Sequence, residues 1–214
     1  MKEITKRAID VLGSLFGLIL LLSLFLIIFI IIKLSSKGPI FFRQTRVGKD
    51  EKLFRIYKFR TMVKNAEKLG AGYGFEKNET RFTRVGKILR FLSFDELPQL
   101  INILKGEMSI IGPRPTLKYQ VEKYNKFQKK RFLMKPGITG LAQVEGRNEL
   151  KWSKRIEYDV WYVENFSLLL DLKILFKTFK VWLFRKGIRM DQTLSEVEDF
   201  DKSVPKRHQN EKTN

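Results

Sequence analysis

From Val11 to Ile32 the chain carries no charged residue and is dominated by Leu, Ile and Phe. About 22 residues of this kind exceed the ~18 that mark a membrane helix. The run is apolar on every face, so it does not pattern as an amphipathic helix on a soluble core. A secretory signal would have a shorter apolar core and a small-residue cleavage site, whereas Lys33-Leu34-Ser35-Ser36-Lys37 follows directly here. The fold must therefore accommodate a bilayer. Lys2, Lys6 and Arg7 flank the start of the run, and Lys33, Lys37, Arg43 and Arg46 flank its end. With both flanks basic, the positive-inside rule gives no direction. A straight span and a bent segment that leaves by the leaflet it entered both stay open. Ser23 can loosen the helix by bonding back to a carbonyl, but no Pro forces a kink. On these grounds alone the straight span is favoured.

The rest of the 214 residues suffices for one ordinary domain. Cys is absent and the only His is His208, in a polar tail. Disulfides, thiolate zinc sites and a Cys nucleophile are excluded, and a Ser-His triad or His base is disfavoured. Catalysis must draw on carboxylates, Lys, Arg, Tyr or hydroxyls, and a metal would be oxygen-ligated, favouring Mg²⁺ or Mn²⁺. The formal net charge of +19 points to a polyanionic partner: nucleic acid, anionic lipid or a phosphorylated substrate. Positive-inside bias accounts for much of it.

After a break at Gly38-Pro39, Ile40-Phe41-Phe42 and Leu53 to Tyr57 read as short strands around a turn at Gly48-Lys49-Asp50. Lys64 to Glu79 reads as a mobile polar loop after a helical start. Helices are expected over Arg84–Leu92, over Leu97–Leu104 ending near Gly106, and over the Lys-rich Thr116–Met134, closed by Pro136-Gly137. Ile138–Val144 reads as a strand or extended loop. In Ser167–Lys186, Leu168, Leu172, Leu175, Phe176, Phe179, Trp182 and Leu183 recur at helical spacing, with Lys173, Lys177 and Lys180 on another face. This pattern suits a helix at the headgroup boundary and, at even odds, a core-facing helix. Asp191–Asn214 is charged and turn-rich, the composition of a disordered tail.

The chemistry concentrates in Ser93–Pro115. Asp95 and Glu96 are adjacent carboxylates ahead of an apolar helical run. Ser93 and Glu96 have capping-box spacing, so helix capping is the plainer reading of the pair. Pro98 weakens that reading, because it would lie too deep in a helix begun at Ser93. An Asp at a strained helix start near fixed cations can serve as a nucleophile toward phosphorus, and the next carboxylate can hold a metal. Arg114, between Pro113 and Pro115, reads either as an exposed arginine on a surface turn or as a cation whose rigid setting lowers the entropy cost of a bidentate phosphate contact. Lys58 and Arg60 form an upstream basic loop, and Arg90 precedes the acids by a short helical step.

Lys-Phe-Arg-Thr-Met from Lys58, Ser-Phe-Asp-Glu-Leu-Pro-Gln from Ser93, Gly-Pro-Arg-Pro from Gly112 and Pro-Gly-Ile-Thr-Gly-Leu-Ala-Gln-Val-Glu-Gly-Arg-Asn from Pro136 occur in this order. In these motifs, from about Lys6 to Lys186, the chain resembles the bacterial sugar transferases, the monotopic phosphoglycosyl transferases. It is closest to the short members of the diacetylbacillosamine-phosphotransferase kind. The resemblance implies a mainly α, α/β monotopic membrane protein. A re-entrant helix (1–37) would precede a small catalytic domain (38–190) with interfacial amphipathic helices and a polar tail (191–214). It implies transfer of a sugar 1-phosphate from a UDP-sugar to undecaprenyl phosphate, on the cytoplasmic face of the bacterial inner membrane, with release of UMP. Asp95 would be the nucleophile, Glu96 would help hold Mg²⁺, and Arg114 would bind the nucleotide diphosphate. Lys58, Arg60, Arg90, Arg114, Arg147 and Asp159 would line the substrate site. No nucleic acid is expected, and further partners would be downstream glycosyltransferases. Three positions depart from the family: Ser23-Leu24 stands where members usually carry Ser-Pro, and Leu141 and Glu145 replace frequent Trp and Asn.

The rival is a membrane-tethered basic module for nucleic acid or anionic lipid. It explains the charge but gives Asp95 and Glu96 no purpose beyond capping, and the chain has no nucleic-acid motif.

Overall fold

The structure, a computed structural model, describes residues 2–66, 80–146 and 149–184. Most of the loop expected over Lys64–Glu79, the tail from Asp191, and Arg147 lie outside them. The described residues form a mainly helical α/β fold with two small two-stranded sheets.

The apolar run does not form one straight helix. Helix α1 (Lys2–Leu20) and helix α2 (Leu22–Ser35) meet at a bend of 61°, and no single described helix is long and apolar enough to cross a membrane. The bend centres on Leu21 (φ −93°, ψ 8°), with no Pro present. Each arm has its own partner, which sets the angle between them. Ile28 and Ile32 of α2 pack on Phe59 and Leu89, whereas α1 docks through a polar stripe. Lys6, Asp10 and Ser14, spaced i, i+4, i+8, are buried while Ile9, Leu12, Phe16 and Ile19 are exposed. Lys6 Nζ donates to Asp171 Oδ2 at 2.6 Å. Asp10 Oδ1 accepts from Ser109 Oγ at 3.0 Å and from the Ile110 amide at 2.9 Å.

Strands β1 (Phe41–Val47) and β2 (Leu53–Phe59) form the expected antiparallel hairpin, in register from Phe41↔Phe59 to Val47↔Leu53. Helix α3 (Arg84–Leu92) is N-capped by Thr83, whose hydroxyl accepts from the Gly86 amide at 2.9 Å. Helix α4 (Gln99–Leu104) ends before Gly106, at φ 82°. Strand β3 (Ser109–Ile111) pairs in parallel with β4 (Gly137–Thr139). These strands cross backbone to backbone: a β-carbon on Gly137 would collide with the Gly112 amide. Two of the glycine-containing motifs are thus the two sides of one close contact.

The expected helix over Thr116–Met134 is broken. Helices α5 (Lys118–Val121) and α6 (Lys126–Lys129) are followed by a 3-10 turn over Lys130–Leu133. Asn125 restarts the helix: its Oδ1 accepts from the Gln128 amide, and Gln128 Oε1 accepts from the Asn125 amide, both at 2.9 Å. Ile138–Val144 is likewise not extended throughout. After β4 the chain turns at Gly140 into helix α7 (Leu141–Glu145). Helix α8 (Trp152–Glu164), not anticipated from sequence, places Ile156 and Val160 against Val47, Val121, Tyr124 and Phe132. Helix α9 (Leu168–Phe184) buries Asp171 and Ile174 but leaves Leu172, Phe176, Phe179 and Leu183 exposed, so its apolar stripe is not core-facing.

Candidate active site

Ser93 is in the left-handed region (φ 60°, ψ 20°) and makes no side-chain cap bond. The capping reading of Ser93 and Glu96 therefore does not hold. Phe94–Glu96 form a single 3-10 turn, and Pro98, at φ −61°, presets the start of α4. Asp95 and Glu96 thus sit on a tight turn between two helices, next to a strained residue. The indole of Trp182 on α9 donates to the Leu92 carbonyl at 3.0 Å and braces this turn from the other side.

Lys58 is delivered by β2. Asn102 of α4, fully buried, accepts from the Tyr57 amide at 3.0 Å and donates to the Arg55 carbonyl at 2.7 Å. It takes the place of a neighbouring strand and fixes β2 to the helix that follows the acids. Arg114 comes from the turn after β3. Glu96 Oε1 accepts from Lys58 Nζ at 2.6 Å and from Arg114 Nη2 at 2.8 Å. Among the described residues the Asp95 carboxylate makes no ion pair. It lines, with Lys58, Arg90, Glu96 and Arg114, a cavity of about 780 Å³. Arg90 also stacks over Phe82, 4.6 Å from the ring centre.

The two carboxylates are driven apart electrostatically. Burial raises the Asp95 carboxyl above its ordinary range against the pull of Lys58, and the neighbouring Glu96 charge adds to the rise. Burial pushes Glu96 the same way, but Arg114 and Lys58 outweigh it and hold Glu96 far below the usual carboxylate range. Burial lowers the Lys58 ammonium, opposed by Glu96. Neighbouring carboxylates with separated proton affinities are a recurrent mark of divided catalytic roles.

Of the other residues named from sequence, Asp159 lies on α8 at the same cavity, in a buried ion pair with Arg131. Arg60 is not brought to the cluster. Its guanidinium donates to the Ser36 carbonyl and to the Ser36 hydroxyl, both at 2.8 Å, satisfying the end of α2. The space it fills is open because Gly38, at φ 133°, has no β-carbon to block it. Sequence reasoning missed Arg131, Gln143, Trp152 and Arg155, all of which line the cavity. The i, i+4, i+8 series Trp152, Ile156, Val160 was the available signal for α8. The remaining cavity wall is mostly apolar and includes Leu21 at the α1–α2 bend, Leu100, and Leu175, Phe176 and Phe179 of α9.

Among the described residues no three His, Cys, Asp or Glu side chains converge as a metal cage. Adjacent hard carboxylates suit an ion such as Mg²⁺, which uses one or two of them together with phosphate oxygens and water.

The family model described as bacterial sugar transferase matches residues 1–185. The uncharacterized sugar transferase EpsL of Bacillus subtilis (strain 168) is 43% identical over 186 residues, covering 87% of this chain and 91% of that protein. The UDP-N-acetylgalactosamine-undecaprenyl-phosphate N-acetylgalactosaminephosphotransferase of Aeromonas hydrophila is 43% identical over 190 residues, 86% of this chain and 45% of that protein. The UDP-glucose:undecaprenyl-phosphate glucose-1-phosphate transferase of Klebsiella pneumoniae is 45% identical over 183 residues, 81% of this chain and 39% of that protein. The chain thus spans most of EpsL and less than half of the other two.

Proposed function

The chain belongs to the bacterial sugar transferase family, and from that premise we propose that it transfers a sugar 1-phosphate from a UDP-sugar to undecaprenyl phosphate. The products are undecaprenyl-diphosphate-sugar and UMP, and the reaction is the first membrane step of a bacterial glycoconjugate pathway. The observation that carries this reading is the split pair: Asp95 without an ion pair among the described residues and Glu96 clamped by Lys58 and Arg114, in one cavity.

An Asp95 carboxylate oxygen attacks the phosphorus that bears the sugar. The bridging P–O bond breaks, and its electron pair leaves on UMP. An undecaprenyl phosphate oxygen then attacks the same phosphorus, releasing the carboxylate. The covalent intermediate divides one transfer between two bulky anions into two steps. A raised proton affinity makes Asp95 the better nucleophile, and Lys58, Arg90 and Arg114 supply fixed positive charge where phosphate charge develops. Glu96, held ionised, would keep Mg²⁺, which when bound neutralises the donor diphosphate.

The apolar arm of the cavity, between the α1–α2 bend and α9, has the chemistry to take the polyprenyl chain. The exposed apolar faces of α1, α2 and α9 support embedding in one leaflet of the bacterial inner membrane, with the cavity on the cytoplasmic side. Re-entry of the bent pair places Lys2 and Lys37 on one face; accessibility tags at the two that label from opposite faces would refute it.

The test is UMP release by the purified chain with undecaprenyl phosphate, Mg²⁺ and a panel of UDP-sugars. Metal-dependent release with one donor, reduced at least about a thousandfold in Asp95→Asn, is the expected result. Equal release in the variant removes Asp95 as nucleophile. Silence of a folded protein with every donor removes the transferase reading.

A further inference from the structure

No sequence motif contains Arg131, yet it is 2% exposed and its guanidinium reaches three acceptors. Nη2 donates to the Arg114 carbonyl at 2.8 Å, Nη1 donates to the Tyr124 hydroxyl at 3.0 Å, and the group pairs with Asp159. The Arg114 turn needs such support. Pro113 and Pro115 have no N–H, so the turn lacks two of the backbone donors that could stitch it together. Its carbonyls are taken from outside: Pro113 by the Gly137 amide at 2.9 Å, Pro115 by Arg46 at 3.4 Å, and Arg114 by Arg131. The last carbonyl belongs to the residue whose side chain clamps Glu96.

We propose that Arg131, backed by Asp159, is a positioning residue that fixes the Arg114 backbone and so aims the Arg114 guanidinium at the donor diphosphate. The inference rests on the transferase reading. It gives Asp159 a role behind the site: neutralising Arg131 rather than touching substrate. The planar guanidinium serves three acceptors in different directions, whereas a lysine ammonium is a single point charge on a flexible stem. A purely structural reading would have the same pair do no more than tie α8 to the 3-10 turn at Lys130–Leu133. It predicts lost stability without a selective loss of diphosphate affinity.

Binding of UDP to the full chain in phospholipid nanodiscs, measured by titration calorimetry, separates the two readings. Arg131→Met combined with Asp159→Leu removes both charges together and leaves no unpaired buried ion; Arg131→Lys is the second variant should that pair fail to fold. The expected result is UDP affinity weakened about tenfold in either variant. The KM for UDP-sugar should rise more than kcat falls, and adding Arg114→Ala should cause no further loss. UDP affinity within about twofold of wild type in a folded variant, or losses that add to those of Arg114→Ala, would overturn the inference. Wild-type protein that binds UDP but releases no UMP counts against the transferase reading alone. Wild-type protein that does not bind UDP removes both.

Discussion

The cluster of buried charge beneath α1 and the one around the cavity are built to opposite specifications. Beneath α1, Asp171 accepts from Lys6 at 2.6 Å through one oxygen and from the Tyr162 hydroxyl at 2.7 Å through the other. Asp10 takes Ser109 and the Ile110 amide. Each charge there has an adjacent partner. Around the cavity the pairing is uneven. Among the described residues, Glu96 has two cations while Asp95 has none, and Asp159 Oδ1 and Arg131 Nε are buried without a hydrogen-bond partner. A closed network fastens one element to another. An incomplete one facing a cavity keeps groups uncommitted, open to a partner the protein does not itself supply.

The same substitution at the two clusters should therefore have different consequences. Lys6→Met leaves Asp171 buried with only a phenol for company, and about 3–5 kcal/mol of stability should be lost. Thermal unfolding in detergent would show it, with normal UMP release per folded molecule. Lys58→Met should do the reverse. Arg114 still pairs with Glu96, so unfolding should move by no more than about 1 kcal/mol, while turnover drops about a hundredfold. Equal stability losses in the two variants would erase the contrast. Ser109→Ala takes one of two hydrogen bonds from Asp10 and should cost about 1–2 kcal/mol with unchanged turnover; a turnover defect would mean that the two clusters are coupled.

The smallest effect is in pH. Burial raises the Asp159 carboxyl from 3.8 to about 6 against Arg131, Arg155 and Arg114. The folded state then holds that proton more tightly than the unfolded chain. The group's contribution to stability is complete below about pH 4 and is lost as pH rises through about 6. Acidification from pH 7 to 5 should thus steady the fold through this group. The same protonation loosens Arg131 and should raise the KM for UDP-sugar. Asp159→Asn should flatten both slopes, as melting and steady-state kinetics across that range would report.

What the sequence showed and what it hid follow from the range of the interactions. Asp95, Glu96 and Arg114 stood out because they lie within one short stretch punctuated by Pro98, Pro113 and Pro115. The α9 helix stood out through its spacing, though only three-dimensional exposure decided between core and surface. Arg131 left no local trace: its acceptors are the Arg114 carbonyl, Tyr124 and Asp159, brought together by folding. Arg60 was the right residue type for phosphate but was already committed to the end of α2, which no pattern around Arg60 reveals. The break in Thr116–Met134 was legible in hindsight at Asn125, with Gln128 three residues on. Overall Lys content had obscured it.

Helix α1 turns Lys6, Asp10 and Ser14 inward and its large apolar side chains outward. The segment is consequently not a tether that could be exchanged for another hydrophobic stretch of equal length. Any replacement segment would have to carry a cation, a carboxylate and a hydroxyl at successive turns to complete the domain that follows it. On the proposed embedding of α1 in a leaflet, membrane attachment and folding of the domain would be the same structural event.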